Sequence, residues 1–168
     1  MAHKGLTVKQ VALFGMLGAV TFGAKFVMSY LPNIEPVSVL VMVYGVVMGR
    51  KALYPIGIYV LLEILVYGLG TWNFNYLYIW GILWLAAYCL RNMKHPLGWA
   101  VLSGAFGLMF GILCAPVDVF IGGFSYAFAK WTTGIVFDLL HCAGNFVIAL
   151  VLFAPLRSLL TKLYDQIH

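Results

Sequence analysis

Residues 37–69 read VSVLVMVYGVVM, then GRK, then ALYPIGIYVLLEILVYGL. Two apolar runs flank a glycine and two cations, Gly49, Arg50 and Lys51, which do not belong in hydrocarbon. The runs are continuous. A membrane barrel needs lipid-facing and lumen-facing residues in alternation, so strands are disfavoured. Every backbone polar group in a bilayer must be paired internally, and a helix does this within one segment. The stretch therefore predicts two membrane helices joined by a short basic turn.

The same pattern extends outward along the chain. Span 1 is expected from Thr7 to Leu31, closed by the Pro32-Asn33-Ile34-Glu35-Pro36 breaker. Span 2 is short, Val37 to Met48, and span 3 runs from Ala52 to Leu69. A loop over Gly70 to Asn75 precedes span 4, Tyr76 to Leu90. The basic segment Arg91 to Pro96 leads to span 5, Leu97 to Ala115, ended by Pro116. An aromatic, glycine-containing connection from Asp118 to Lys130 is read as partly helical. Span 6 runs from Trp131 to Phe153, with a basic tail expected to continue as an interfacial helix. Residues 1–168 thus form an all-α membrane domain of six transmembrane helices, and the first apolar run reads as a span, not as a cleaved signal peptide.

Composition agrees. The chain is 64% hydrophobic and 9% charged, against about 25% charged residues in an ordinary soluble domain. Its mean hydropathy is +1.00. The net charge of +5 reflects topology, not nucleic-acid binding, because the bases sit in short loops. Lys4, Lys9, Arg50, Lys51, Arg91, Lys94, Arg157 and Lys162, eight of the ten basic residues, fall on one side of a six-span layout. The positive-inside rule makes that side, and both termini, cytoplasmic. Glu35, Glu63, Asp118 and Asp138 fall toward the other side, where Trp72, Trp80 and Trp131 read as an aromatic belt. Cys89, Cys114 and Cys142 lie in apolar segments and read as small buried hydrophobes.

Polar residues inside spans are the candidates for function, since a charge at a span centre costs at least ~2.5 kcal/mol. Asp138, His141 and Asn145 are spaced three and four apart, on one helical face. They read either as a ligand-binding stripe or as a hydrogen-bond network between helices. Glu63 needs a partner, and Lys25 is the obvious one. Asn75 and Tyr78 follow the Trp72-Asn73-Phe74 turn, where amides beside aromatic faces suit a flat heterocycle. Trp131 joins this set by depth. Gly15, Ala19 and Gly23 form a small-residue face on span 1, and Gly104, Gly107 and Gly111 another on span 5. The chain has no P-loop, no HExxH and no GxSxG. A metal centre would need ligands beyond Asp138 and His141, so neither metal nor cofactor is expected.

Together these features resemble the substrate-binding (S) component of an energy-coupling factor (ECF) transporter. The resemblance rests on size, on the charge layout, on Gly15-Met-Leu-Gly-Ala19, on the Ile34-Glu35-Pro36-Val37 turn before a short second span, and on Phe137-Asp138-Leu139-Leu140-His141-Cys142-Ala143-Gly144-Asn145-Phe146. The family's first-helix signature is Ala-x-x-x-Ala; here Gly15 and Ala19 stand at the pair. The resemblance implies a multi-pass receptor of a bacterial plasma membrane that captures a water-soluble vitamin in its outer half. It implies partners too: a transmembrane coupling subunit, met through the first helix, and two ATPase subunits. Membrane lipid surrounds it, and no nucleic acid is involved. By depth and chemistry, Glu63, Asn75, Tyr78, Trp131, Asp138, His141, Asn145 and, more weakly, Lys25 are expected to contact the solute; a cobalamin-type ligand is the first choice, with thiamine, pyridoxine, riboflavin and a pyrimidine precursor as alternatives. A stand-alone ion-coupled permease and an intramembrane enzyme using Asp138 and His141 are the competing classes.

Overall fold

The computed structural model describes residues 5–30 and 34–167, and these are all-helical, with no strand. The helices are α1 (Val8–Val27), α2 (Val37–Met48), α3 (Leu53–Tyr67), α4 (Thr71–Cys89), α5 (Pro96–Leu108) and α6 (Phe110–Asp165). A 3-10 turn, Gly49–Ala52, joins α2 to α3. Among the described residues, three segments are long and apolar enough to cross a membrane: Val8–Val27, Val37–Tyr67 and Pro96–Asp165. Lys4, Pro32, Asn33 and the expected end of span 1 at Leu31 lie outside the described residues.

Side-chain contacts reveal the direction of each leg. Phe14 stacks on Tyr54 and Lys25 meets Glu63, so α1 and α3 run the same way. Tyr59 packs on Trp80 and Tyr67 on Trp72, so α4 runs back along α3. Ser38 touches Asn145, while Leu40 and Tyr44 share a groove with Leu156 and Leu160, so α2 runs alongside the last leg. The chain reverses at Gly49, whose φ of 58° favours glycine.

The second reversal lies inside α6. Gly123 has φ 78° and ψ 179° within an otherwise helical run. Across it, Asp118 pairs with Lys130, Gly111 faces Asp138, Gly107 faces His141, and Trp99 stacks on Phe153. These pairs form an antiparallel ladder, so residues 110–122 extend α5 and residues 124–165 return along it. Glycine permits the close approach: a Cβ on Gly107 would lie 2.7 Å from the His141 backbone. The span 5 glycines therefore pack within the molecule.

Several sequence expectations are corrected here. Thr71–Asn75 is not a loop but the first turn of α4, because the Asn73 carboxamide accepts from Gly70 N at 2.6 Å and caps the helix. Pro116 does not end its helix. It removes one backbone bond, and the helix continues to the Gly123 break. Residues 118–130 are helical on both sides of that glycine. The tail after Phe153 is helical as expected, continuing α6 through Pro155 to Asp165. Trp80 is fully buried against Tyr59, Tyr76, Phe106 and Phe110, so it is a core residue and not part of a belt.

α2 is the innermost element. Val37 to Gly45 are all buried, which suits a helix that is apolar all round.

Candidate functional site

Lys25, Glu35, Glu63, Asp118, Lys130 and Asp138 gather at the end of the bundle marked by the C-termini of α1 and α3 and the Gly123 reversal. The cations Lys9, Arg50, Lys51, Arg91, Lys94, Arg157 and Lys162 lie at or beyond the opposite end of the helices. Two polar groups within the first end make up the candidate site.

The first group is built on α1, α3 and α4. Lys25 Nζ lies 2.6 Å from Glu63 Oε2 and donates to the Tyr76 hydroxyl at 3.1 Å. It also sits over the rings of Trp72 and Tyr76, at 5.6 and 5.0 Å from their centroids. Glu63 is buried, and its second oxygen has no hydrogen-bond partner among the described residues. Trp72, Tyr76 and Trp80 succeed one another at four-residue spacing on one face of α4, each ring edge-on to the next. The four-residue spacing of Trp72, Tyr76 and Trp80 is a signal for such a stripe, whereas Trp72 and Trp80 alone read as interface belt. Tyr59 is buried beside Tyr76 and Trp80, with its hydroxyl near the Tyr76 hydroxyl but not in hydrogen-bond geometry.

Ile34 and Glu35 reach into this region from the connection before α2. A Cβ on Gly144 would lie 3.1 Å from Ile34, so the connection packs directly on the last leg of α6. Burial pushes the Glu35 carboxyl up to about 7, with Lys25 pulling it down and Glu63 pushing it further up.

The second group is the predicted stripe on α6. Asp138, His141 and Asn145 are all buried, as their common face requires. Asp138 Oδ1 accepts from Gly111 N at 3.1 Å, leaving Oδ2 without a partner among the described residues. His141 packs edge-on against Phe110, ring centroids 4.9 Å apart, and neither ring nitrogen has a partner there. Asn145 donates through Nδ2 to Ser38 Oγ at 3.0 Å and to Ser103 O at 3.3 Å. It is therefore a tie between α2, α5 and α6. Ser38 and Ser103 carry no sequence signal for this role, because nothing in their spacing announces the contact.

The structure does not bring every predicted residue together. The Lys25–Glu63 group and the His141 group are separate, bridged by rings that run from Trp80 to Phe110 to His141. Asn75 and Tyr78 are engaged elsewhere: the Tyr78 hydroxyl contacts Asn75 Oδ1 at 3.1 Å and also Leu113 O, tying α4 to residues 110–122. Trp131 lies against Gly111 and packs on Phe128. Gly15 and Gly23 face open space, with nothing within 4 Å of an added Cβ, and Ala19 is exposed. Gly18 makes the close approach of α1 to α3, where a Cβ would lie 2.7 Å from Ile58 Cβ. No group of three or more His, Cys, Asp or Glu among the described residues is placed to hold a metal ion. No protein-family model, curated protein or solved structure matches this chain.

Proposed function

We propose that the chain is a six-span membrane receptor for a water-soluble vitamin or vitamin precursor, acting as the S component of an ECF-type importer. The observation that carries this reading is on α6. Asp138 Oδ2, both nitrogens of His141 and Asn145 Oδ1 are four buried polar atoms without partners among the described residues. A buried polar group left unpaired costs about 1–3 kcal/mol, and more if charged. A polar solute seated against α6 would meet those groups, and the nearby rings of Trp80, Phe110 and Trp131 would cover its faces. This lining suits a compact heterocycle at least as well as a cobalamin-type ligand.

Features of the surface support the rest of the division of labour. The cations at the opposite end of the helices support cytoplasmic termini by the positive-inside rule. The open face of Gly15, Ala19 and Gly23 supports contact with a coupling subunit, because small residues let helices approach closely. On this reading the chain does no chemistry, and ATP hydrolysis belongs to two partner subunits. The test is native mass spectrometry of the purified full-length protein against a panel of water-soluble vitamins, cobalamin included, followed by uptake in vesicles. One vitamin is expected to bind, with sustained uptake only when the coupling module is present. Ion-driven uptake by this chain alone would overturn the reading in favour of a permease.

A further inference from the structure

At the opposite end of the bundle a cavity of about 460 Å³ opens between the start of α5 and the tail of α6. Its lining includes Lys94, Arg157 and Lys162, with the hydroxyls of Ser158 and Thr161, and no acidic side chain. We propose that this cavity binds the phosphate of an anionic phospholipid headgroup.

Three like charges converging on one concave surface repel one another, and an anion relieves that repulsion. The ion pairs Lys25–Glu63 and Lys130–Asp118 are both at the far end. Arg157 is half-buried and lines the cavity, and its planar fork suits bidentate contact with a phosphate. Thr161 donates its hydroxyl proton to Arg157 O at 2.8 Å, which fixes the helix surface between the two cations.

The floor decides for a lipid over a free anion. It is apolar: Trp99 and Phe153 stack with ring centroids 4.4 Å apart and interplanar angle 13°, and Pro96 and Ala154 complete it. Trp99 Nε1 is already committed to Met93 O, so the indole offers a face and not a donor. The cavity also sits where the chain changes character. Toward the bilayer the same face of α6 continues as Leu150 and Val147, both exposed, while toward the tail it continues as Lys162. A phosphate at the basic rim would leave acyl chains lying along the apolar stretch. Basic pockets at the cytoplasmic ends of membrane helices bind anionic headgroups by this combination. Only the choice of leaflet depends on the orientation proposed above; the headgroup chemistry does not.

The full-length protein is placed in nanodiscs of phosphatidylcholine containing phosphatidylglycerol, which expose both faces, and retained lipids are counted by native mass spectrometry. Wild type is expected to retain phosphatidylglycerol in preference to phosphatidylcholine. Lys94→Gln, Arg157→Gln and Lys162→Gln are each expected to lower that preference about fivefold, the worth of one cation near an anionic surface. Lys162 is exposed, so its variant tests the charge without disturbing the fold, and Arg157→Lys should keep most of the preference. Equal retention of the two lipids, or an undiminished preference in the triple variant, would overturn the proposal. Displacement of the lipid by inorganic phosphate at equal concentration would overturn the lipid assignment in favour of a free-anion site. Vitamin binding by the same variants, measured in parallel, is expected to be unchanged, so the receptor reading and the lipid site fail separately.

Discussion

Lys25 Nζ and Glu63 Oε2 lie 2.6 Å apart, and this ion pair joins the last turn of α1 to α3 at the polar end of the bundle. Glu63 is 1% exposed, so the pair works in a medium that screens poorly. Breaking a buried pair from one side strands the other charge. Lys25→Met is therefore expected to destabilise the protein by about 3 kcal/mol. Lys25→Met with Glu63→Gln should recover most of that loss, since no charge then stays unpaired. Thermal unfolding of the three proteins in one detergent checks this. A double variant no more stable than Lys25→Met would show that the pair is not the source of the effect.

The partnerless atoms of α6 make a different prediction. His141→Ala and Asp138→Asn should each weaken solute binding at least tenfold, about 1.4 kcal/mol, while costing little stability. Asn145→Ala should behave otherwise, because Asn145 already bonds Ser38 and Ser103. It should lower stability by about 1–2 kcal/mol as well as affinity. Titration calorimetry with the vitamin identified by mass spectrometry separates the two patterns. Unchanged affinity in both His141→Ala and Asp138→Asn would remove those residues from the site.

The two glycine stripes should respond in opposite directions. A Cβ on Gly107 meets the His141 backbone at 2.7 Å, so Gly107→Ala should cost about 1–3 kcal/mol. A Cβ on Gly15 meets nothing within 4 Å, so Gly15→Ala should be neutral or stabilise by up to about 1 kcal/mol through helix propensity. Gly15→Leu should leave the isolated chain folded and solute-competent yet fail to co-purify with the coupling subunit. Co-purification at wild-type yield would move the interface away from α1.

Glu35 carries a pH dependence. Burial raises its carboxyl to about 7 from an ordinary value of 4.5. Between those values the folded protein keeps a proton that the unfolded chain has released. Stability from this group is therefore fully present below about pH 4.5 and is lost as pH rises through about 7. The melting temperature should fall across that window in the wild type, and Glu35→Gln should flatten the fall. An identical slope in both proteins would place the titrating group elsewhere.

Much of the architecture was legible without coordinates. Long apolar runs punctuated by Gly49-Arg50-Lys51 and Arg91 to Pro96 require helices, since only helices pair their own backbone in hydrocarbon. Lys25 opposite Glu63, and Asp138, His141 and Asn145 on one face, followed from burial cost and helical periodicity. The helical class, the polarity of the two ends and the buried polar stripe were thus written in the chain itself. The folded molecule was needed to show that Thr71–Asn75 is helix, that Pro116 is tolerated, and that Gly123 and not Pro116 turns the chain. It alone showed that Gly18, not Gly15 or Gly23, brings α1 onto α3, and that Asn145 is tied to Ser38 and Ser103. The physical reason is that hydropathy and periodicity are properties of one segment, whereas caps, close approaches and hydrogen bonds between helices depend on which atoms a distant segment presents.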